Sequence, residues 1–229
     1  MNAPTDATIA PAVHVPVSER TRAVAARSQV YQLFGQLFIY PRAAGQQQFV
    51  HAGALEQLRR VRALLPYRVD AFHTLQAPPP DPDLPVTYTR LFDNCTGRSL
   101  MSLNEKDHLG EPAQSIWEDL IRFYEHFGIR YELGVNKEWP DWIGIELEFM
   151  HYLAALEVAA TSEADARNFI AAQADFIDRH LARWVPRLCE ALQKKAANTA
   201  YGAWAEALGA FVQAEQQFNR QRRPLAQAA

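Results

Sequence analysis

Two carboxylate patterns give this sequence its chemical possibilities. One is the run Glu138-Trp139-Pro140-Asp141-Trp142; the other is a Glu-x-x-His spacing that occurs twice, at Glu105 to His108 and at Glu148 to His151. Carboxylates set among tryptophans suit a ligand that joins a cationic group to an apolar one, since the acids meet the charge and the indoles cover the hydrocarbon. Glu-x-x-His on a helix is the spacing with which bundle enzymes hold two irons, given two further glutamates from other helices. The sequence has no glycine-rich phosphate loop, no G-x-S-x-G elbow, no H-E-x-x-H and no C-x-x-C. His14, His108 and Cys95 stand without a neighbouring group that would activate them and read as ordinary structural or surface residues.

The first run leads into a helix. Pro140 and Asp141 predict its start, because proline lacks only an N–H that the first turn leaves unpaired and an early carboxylate suits the positive end of the helix. At about 100° per residue, Trp142, Ile145, Phe149, Met150, Tyr152, Leu153 and Leu156 share one arc, and Glu146 falls inside it. Burying that carboxylate is costly unless it is paired, so Glu146 requires a partner. It is either an edge or internal cap of the fold or a recognition carboxylate. Glu148 and His151 fall outside the arc, which speaks against a metal site there.

Around this stretch the periodicity is helical. Ser18 opens a helix over 19–38 that Pro41 stops, a second runs over about 46–65, and a short helix covers 86–92. Residues 66–85 hold Pro66, Pro78 to Pro80, Pro82 and Pro85 and read as a loop or hinge, centred on 76–85, with one helical turn near Val69 to Leu75. Residues 93–112 show no sustained period and read as an ordered loop of the kind that carries function. Further helices are expected from 111–112 to Phe127, with Gly128 as the stop, from Ser162 to a break at Pro186, and from Thr199 to Phe218. The fold class is all-α: one globular domain of about seven or eight helices over 18–219, with a disordered tail at 1–17 and a frayed one at 220–229.

Composition narrows the function. The net charge of −3 gives no electrostatic case for nucleic acid. Between Leu103 and Glu148, however, 11 acidic residues face 4 basic ones, which is either a set of solvated helix faces or a docking surface for something cationic. No apolar run reaches the roughly 18 residues of a membrane span. Residues 1–17 lack the apolar core of a secretory signal and two cysteines make no disulfide framework, so the expected compartment is the cytoplasm.

The order of features resembles the TorD-like (TorD/DmsD/NarJ) family of redox-enzyme maturation chaperones. Its marks are Y-x-x-L-F at Tyr88 to Phe92, the irregular loop, the helix ending at Phe123 to Gly128, E-x-P-D followed by E-L-E-F-M at Glu138 to Met150, and His180, Leu181 and Trp184. The resemblance covers residues 20–215 and is closest to the branch serving DMSO-reductase-type enzymes such as ethylbenzene or dimethylsulfide dehydrogenase. It implies an all-helical, non-catalytic protein with no tightly bound cofactor. Such a protein binds the twin-arginine signal peptide and the apo catalytic subunit of a molybdoenzyme while molybdopterin guanine dinucleotide is inserted. Carried over by position, the recognition motif is Glu138, Pro140 and Asp141, with Trp142 where histidine is usual; that departure removes the ground for guanine-nucleotide binding. On this reading Asp141, Glu138, Glu105 and Asp107 meet the arginines, Glu146 supports them, and Trp139 and Trp142 take the apolar part of the peptide. The alternatives are a metal-dependent bundle enzyme and a general helical adaptor.

Overall fold

The computed structural model describes residues 18–93 and 101–227, with side chains through 223. The Cys95 and His14 readings lie outside the described residues. The first helix, α1 (Glu19–Leu37), opens at Ser18, whose Oγ accepts the Thr21 N–H at 3.1 Å. In place of one helix over 46–65, the chain forms α2 (Ala44–Gln48), a π turn (Phe49–Gly53) and α3 (Ala54–Val61), followed by a 3-10 turn. Gly53 lies at the end of the π turn, where a Cβ would come within 3.3 Å of the Phe49 ring. A single turn, α4 (Ala71–Thr74), interrupts the proline-rich connection, and α5 (Leu84–Phe92) holds Pro85 in its first turn, where a missing N–H costs nothing.

After α6 (Lys106–Leu109) come α7 (Ala113–His126), α8 (Ile143–Ala159), α9 (Glu163–Arg179), α10 (Leu181–Ala196) and α11 (Ala200–Gln227). Eight of these helices have eight or more residues, so the expected count stands. Among the described residues there is no strand, only an isolated antiparallel bridge between Asn104 and Trp142.

Three expected boundaries are corrected. The central helix opens at Ile143, with Trp142 as its cap in extended backbone, because Asp141 spends its carboxylate on other segments. The break after Ser162 comes at His180 rather than Pro186. There φ −123° and ψ −94° leave the helical region and send the imidazole between two carboxylates, whereas Pro186 sits within α10. The last helix does not fray at 220: Arg220, Arg222 and Arg223 pair with Asp178, Glu157 and Asp175 at 2.8, 2.7 and 2.5 Å.

The α8 helix is the axis of the molecule. Ile143, Leu147, Phe149, Met150, Leu153 and Ala154 are all buried, on more than one face, as a helix enclosed by neighbours requires. It packs mainly against α1 and α9, and α11 packs against α9 and α10. Across α1, α8, α9 and α11 runs a buried ionic network. Arg27 donates from Nε and Nη2 to Glu215 at 2.6 and 2.7 Å and from Nη2 to Gln173 at 2.8 Å, while Glu157 accepts from Arg222 at 2.7 Å. Tyr31 and Tyr67 hydroxyls also donate to Glu215. Burial alone would raise the Glu215 carboxyl, but the Arg27 charge and these hydrogen bonds outweigh it and hold the group below its ordinary value.

Candidate functional site

The loop after α5 is fastened twice. Met101 N–H donates to Leu91 O at 3.0 Å, and the 103–105 segment pairs with 141–143 through Glu105 N–H to Asp141 O and Ile143 N–H to Leu103 O, both 2.9 Å. Asp141 is the knot between these segments. Its Oδ1 accepts from Trp117 Nε1 at 2.8 Å and Asn104 Nδ2 at 3.3 Å, and its Oδ2 accepts the Lys106 backbone N–H at 3.1 Å. One carboxylate thus ties α6, α7 and the entry to α8, and it is wholly buried. Pro140 is buried beside it, its carbonyl accepting the Tyr124 hydroxyl at 2.8 Å.

That corrects the expected role of three acids. Asp141, Glu105 and Glu146 are each 0% exposed, so none meets an incoming cation directly. Glu105 accepts from His180 Nδ1 at 2.9 Å, and His180 Nε2 lies 3.2 Å from Asp119 Oδ2, an ion contact rather than a well-aligned hydrogen bond. Burial alone would lower the imidazole, but Asp119 and Glu105 hold it above its ordinary value. Glu146 accepts from Trp184 Nε1 at 3.0 Å and leaves Oε1 unbonded. Burial, followed by the charge of Glu105, raises its carboxyl well above the ordinary range, which favours the protonated acid. Three of the 11 acids of 103–148 are thus spent inside the fold, while seven remain exposed.

The remaining members of the motif face outward. Trp139 stacks on Trp117 with ring centroids 4.5 Å apart and planes 9° from parallel, and stays 49% exposed. Glu138 presents an exposed carboxylate, with Lys137 Nζ 3.8 Å away, while its backbone carbonyl takes the Tyr131 hydroxyl. Asp107 is exposed but held by Ser102 and Lys106. Trp142 is half-buried over Gly144, where a Cβ would fall 2.0 Å from the indole; the glycine is what lets the ring lie there.

Glu138 and Trp142 line a groove of about 620 Å³ together with Tyr40, Tyr88, Phe92 and Leu103. Tyr88 donates to Phe38 O at 2.8 Å, and Tyr40 stands edge-on to it with centroids 5.3 Å apart. The Y-x-x-L-F segment and the Glu138 to Trp142 segment therefore wall one cavity. Sequence reasoning gave no role to Tyr40 or Trp117, and gave Tyr124 only a place on the apolar face of its helix. Their partners lie 16 to 48 positions away in the chain, and nothing in local spacing points to them.

The family model described as nitrate reductase delta subunit matches residues 53–190, a stretch that includes α3 to α9 and most of the groove. The chain belongs to this family of TorD-like chaperones. Among its relatives is a selenate reductase assembly chaperone from Thauera selenatis, 35% identical over 57% of this chain and 67% of its own. A chlorate reductase assembly chaperone from Ideonella dechloratans is 36% identical over the same shares. The TorD chaperone of Vibrio cholerae strain N16961 is 33% identical over 45% of each chain.

With that membership the metal-enzyme alternative falls, and the Glu-x-x-His residues have other places. Glu148 is exposed, His151 Nδ1 is 2.7 Å from Ser28 Oγ, and His108 Nε2 is 2.9 Å from Ser102 O. Among the described residues no helix is long and apolar enough to cross a membrane.

Proposed function

We propose that this chain is a system-specific cytoplasmic chaperone of a molybdoenzyme. In this reading it holds the twin-arginine signal peptide of the apo catalytic subunit in the Tyr40, Tyr88, Glu138 and Trp142 groove until molybdopterin guanine dinucleotide has been inserted into the client. The chain supplies a binding surface and needs no tightly bound cofactor of its own. Assembly chaperones of selenate and chlorate reductases among the relatives support the client class.

The observation that carries the site is where apolar surface is left open. Of the eight large apolar side chains exposed among the described residues, Tyr40 lines the groove, and Ile39, Val86 and Trp139 are chain neighbours of the lining residues Tyr40, Pro85 and Glu138. Apolar surface left open beside a groove marks an interaction surface. A signal peptide offers an apolar stretch behind its arginines, and Glu138 is the exposed carboxylate on the groove wall. The buried acids act behind the surface, with Asp141 positioning Trp117, and through it the Trp139 stack.

The client precursor recovered with the chain from its host supplies the peptide for calorimetry. A Trp139→Ala, Glu138→Gln double variant is expected to bind it at least about tenfold more weakly, as expected for loss of an aromatic anchor and a charge-assisted contact. Unchanged affinity would remove the groove from the binding role.

A further inference from the structure

A second cavity, of about 390 Å³, opens between the first turns of α1 and α9 and the end of α11. The length of α1, about 28 Å at 1.5 Å per residue, separates Arg20 at this cavity from Tyr40 at the groove. Four guanidinium groups line it, from Arg20, Arg27, Arg167 and Arg222, together with the apolar Phe218 and Ile170. Glu163 is the single carboxylate on its wall.

These cations are not fully spent on the fold. Wholly buried Arg27 is fixed from behind by Glu215 and Gln173, yet its Nη1 has no hydrogen-bond acceptor, with Glu157 Oε2 3.6 Å away. Arg222 likewise leaves Nε unbonded. Arg20 and Arg167 make no hydrogen bond or ion pair among the described residues. The Arg27 and Arg222 guanidiniums both lie against Phe218, with Cζ 5.0 and 4.7 Å from the ring centroid, so two like charges share one aromatic ring. Burial, then repulsion by Arg27, lowers the Arg222 pKa. An anion in the cavity relieves that repulsion.

We propose that this cavity binds a small organic anion, a phosphate or carboxylate carried on an aromatic or aliphatic body. Arg20 and Arg167 close on the anionic group, and Phe218 and Ile170 receive the body. The volume is at the lower end of the roughly 300–1,000 Å³ usual for ligand pockets, too large for a bare oxyanion and suited to one with a ring attached.

Titration calorimetry on the full chain with phenyl phosphate, phenylacetate, inorganic phosphate and phenol tests this. Saturable binding of phenyl phosphate or phenylacetate is expected, the tighter of the two identifying the head group. Inorganic phosphate and phenol should each bind at least about tenfold more weakly, because each lacks one half of the recognised chemistry. An Arg20→Gln, Arg167→Gln double variant should weaken the aromatic anion at least about tenfold with no change in thermal unfolding, since neither side chain pairs within the fold. Absence of binding by both aromatic anions overturns the proposal, as does phenol binding as tightly as phenyl phosphate or full affinity in the double variant. Signal-peptide binding is expected to be untouched in that variant, so this site and the groove stand or fall separately.

Discussion

The molecule buries two ionic clusters, and they are built on opposite principles. In the network of α1, α8, α9 and α11, two guanidiniums, Arg27 and Arg222, face two carboxylates, Glu157 and Glu215, and charge is balanced. Beneath the groove, three wholly buried acids, Asp141, Glu105 and Glu146, have one buried cation to share, His180. The first cluster pairs each guanidinium with a carboxylate. The second is tuned by protonation: burial raises the Glu146 carboxyl well above its ordinary value, and Asp119 and Glu105, against burial, raise the His180 imidazole. A fold that needs only rigidity is served by the first arrangement. Beneath the groove the second leaves a pH-responsive layer between the helical core and the loops that meet a partner.

The sharpest way to break the contrast is to remove Arg27. Arg27→Ala leaves Glu215 buried with no cation, only the Tyr31 and Tyr67 hydroxyls and the Asn219 amide as donors, and the expected loss is about 3–5 kcal/mol in urea unfolding. A loss under about 1 kcal/mol would mean that the network is not held by charge balance. Asp141→Asn comes next. An amide replaces one carboxylate oxygen with a donor, so either Lys106 N–H or Trp117 Nε1 loses its acceptor, at a cost of about 2 kcal/mol. The freed Trp117 should also loosen its stack with Trp139, read as a shift in tryptophan fluorescence and weaker signal-peptide binding.

Titration separates the two regions by sign. His180 has a folded pKa above its ordinary value, so its stabilisation is fully present below about pH 6.5 and is lost as pH rises through the folded value. Glu215 has a depressed pKa, so its contribution is present above its unfolded value of about 4.5 and is lost as pH falls through the folded one. Unfolding followed against pH should therefore show the network failing in acid and the His180 contact failing toward alkali. His180→Gln is expected to flatten the upper limb, from about pH 6.5 upward, and leave the acid limb unchanged. A change confined to the acid limb would place the protonated contact elsewhere.

How much of this was legible in the sequence follows from how far apart the interacting residues are. The helix faces were, since Tyr31, Phe34 and Leu37, or Ile116, Leu120 and Tyr124, are buried at the spacing that predicts burial. Gly128, with φ +79°, ends α7 where a stop was expected. The all-α class came from the same local signals and the family resemblance. Orientation was not legible. Asp141 takes donors 24, 35 and 37 positions away, which no local rule connects, so a carboxylate expected to face the ligand instead holds chain segments together. The break at His180 was hidden for the same reason, because Pro186 is the stronger local mark but the contacts with Glu105 and Asp119 fix the turn.

Glu146 was legible as an anomaly, a carboxylate on an apolar arc, and it gives the smallest but most discriminating test. If it is neutral in the folded protein, Glu146→Gln swaps one uncharged polar group for another and keeps an oxygen for Trp184 Nε1. The expected change at pH 5 is within about 1 kcal/mol. The sign should then drift with pH. A raised folded pKa means that the native state keeps a proton the unfolded chain has lost, so native stability declines as pH rises from about 4.5 through the folded value. Glutamine has no proton to lose, and the variant should gain on the unaltered chain across that interval. A loss of 3 kcal/mol or more, constant with pH, would instead show a charged, paired Glu146, and the two buried clusters would then obey one principle rather than two.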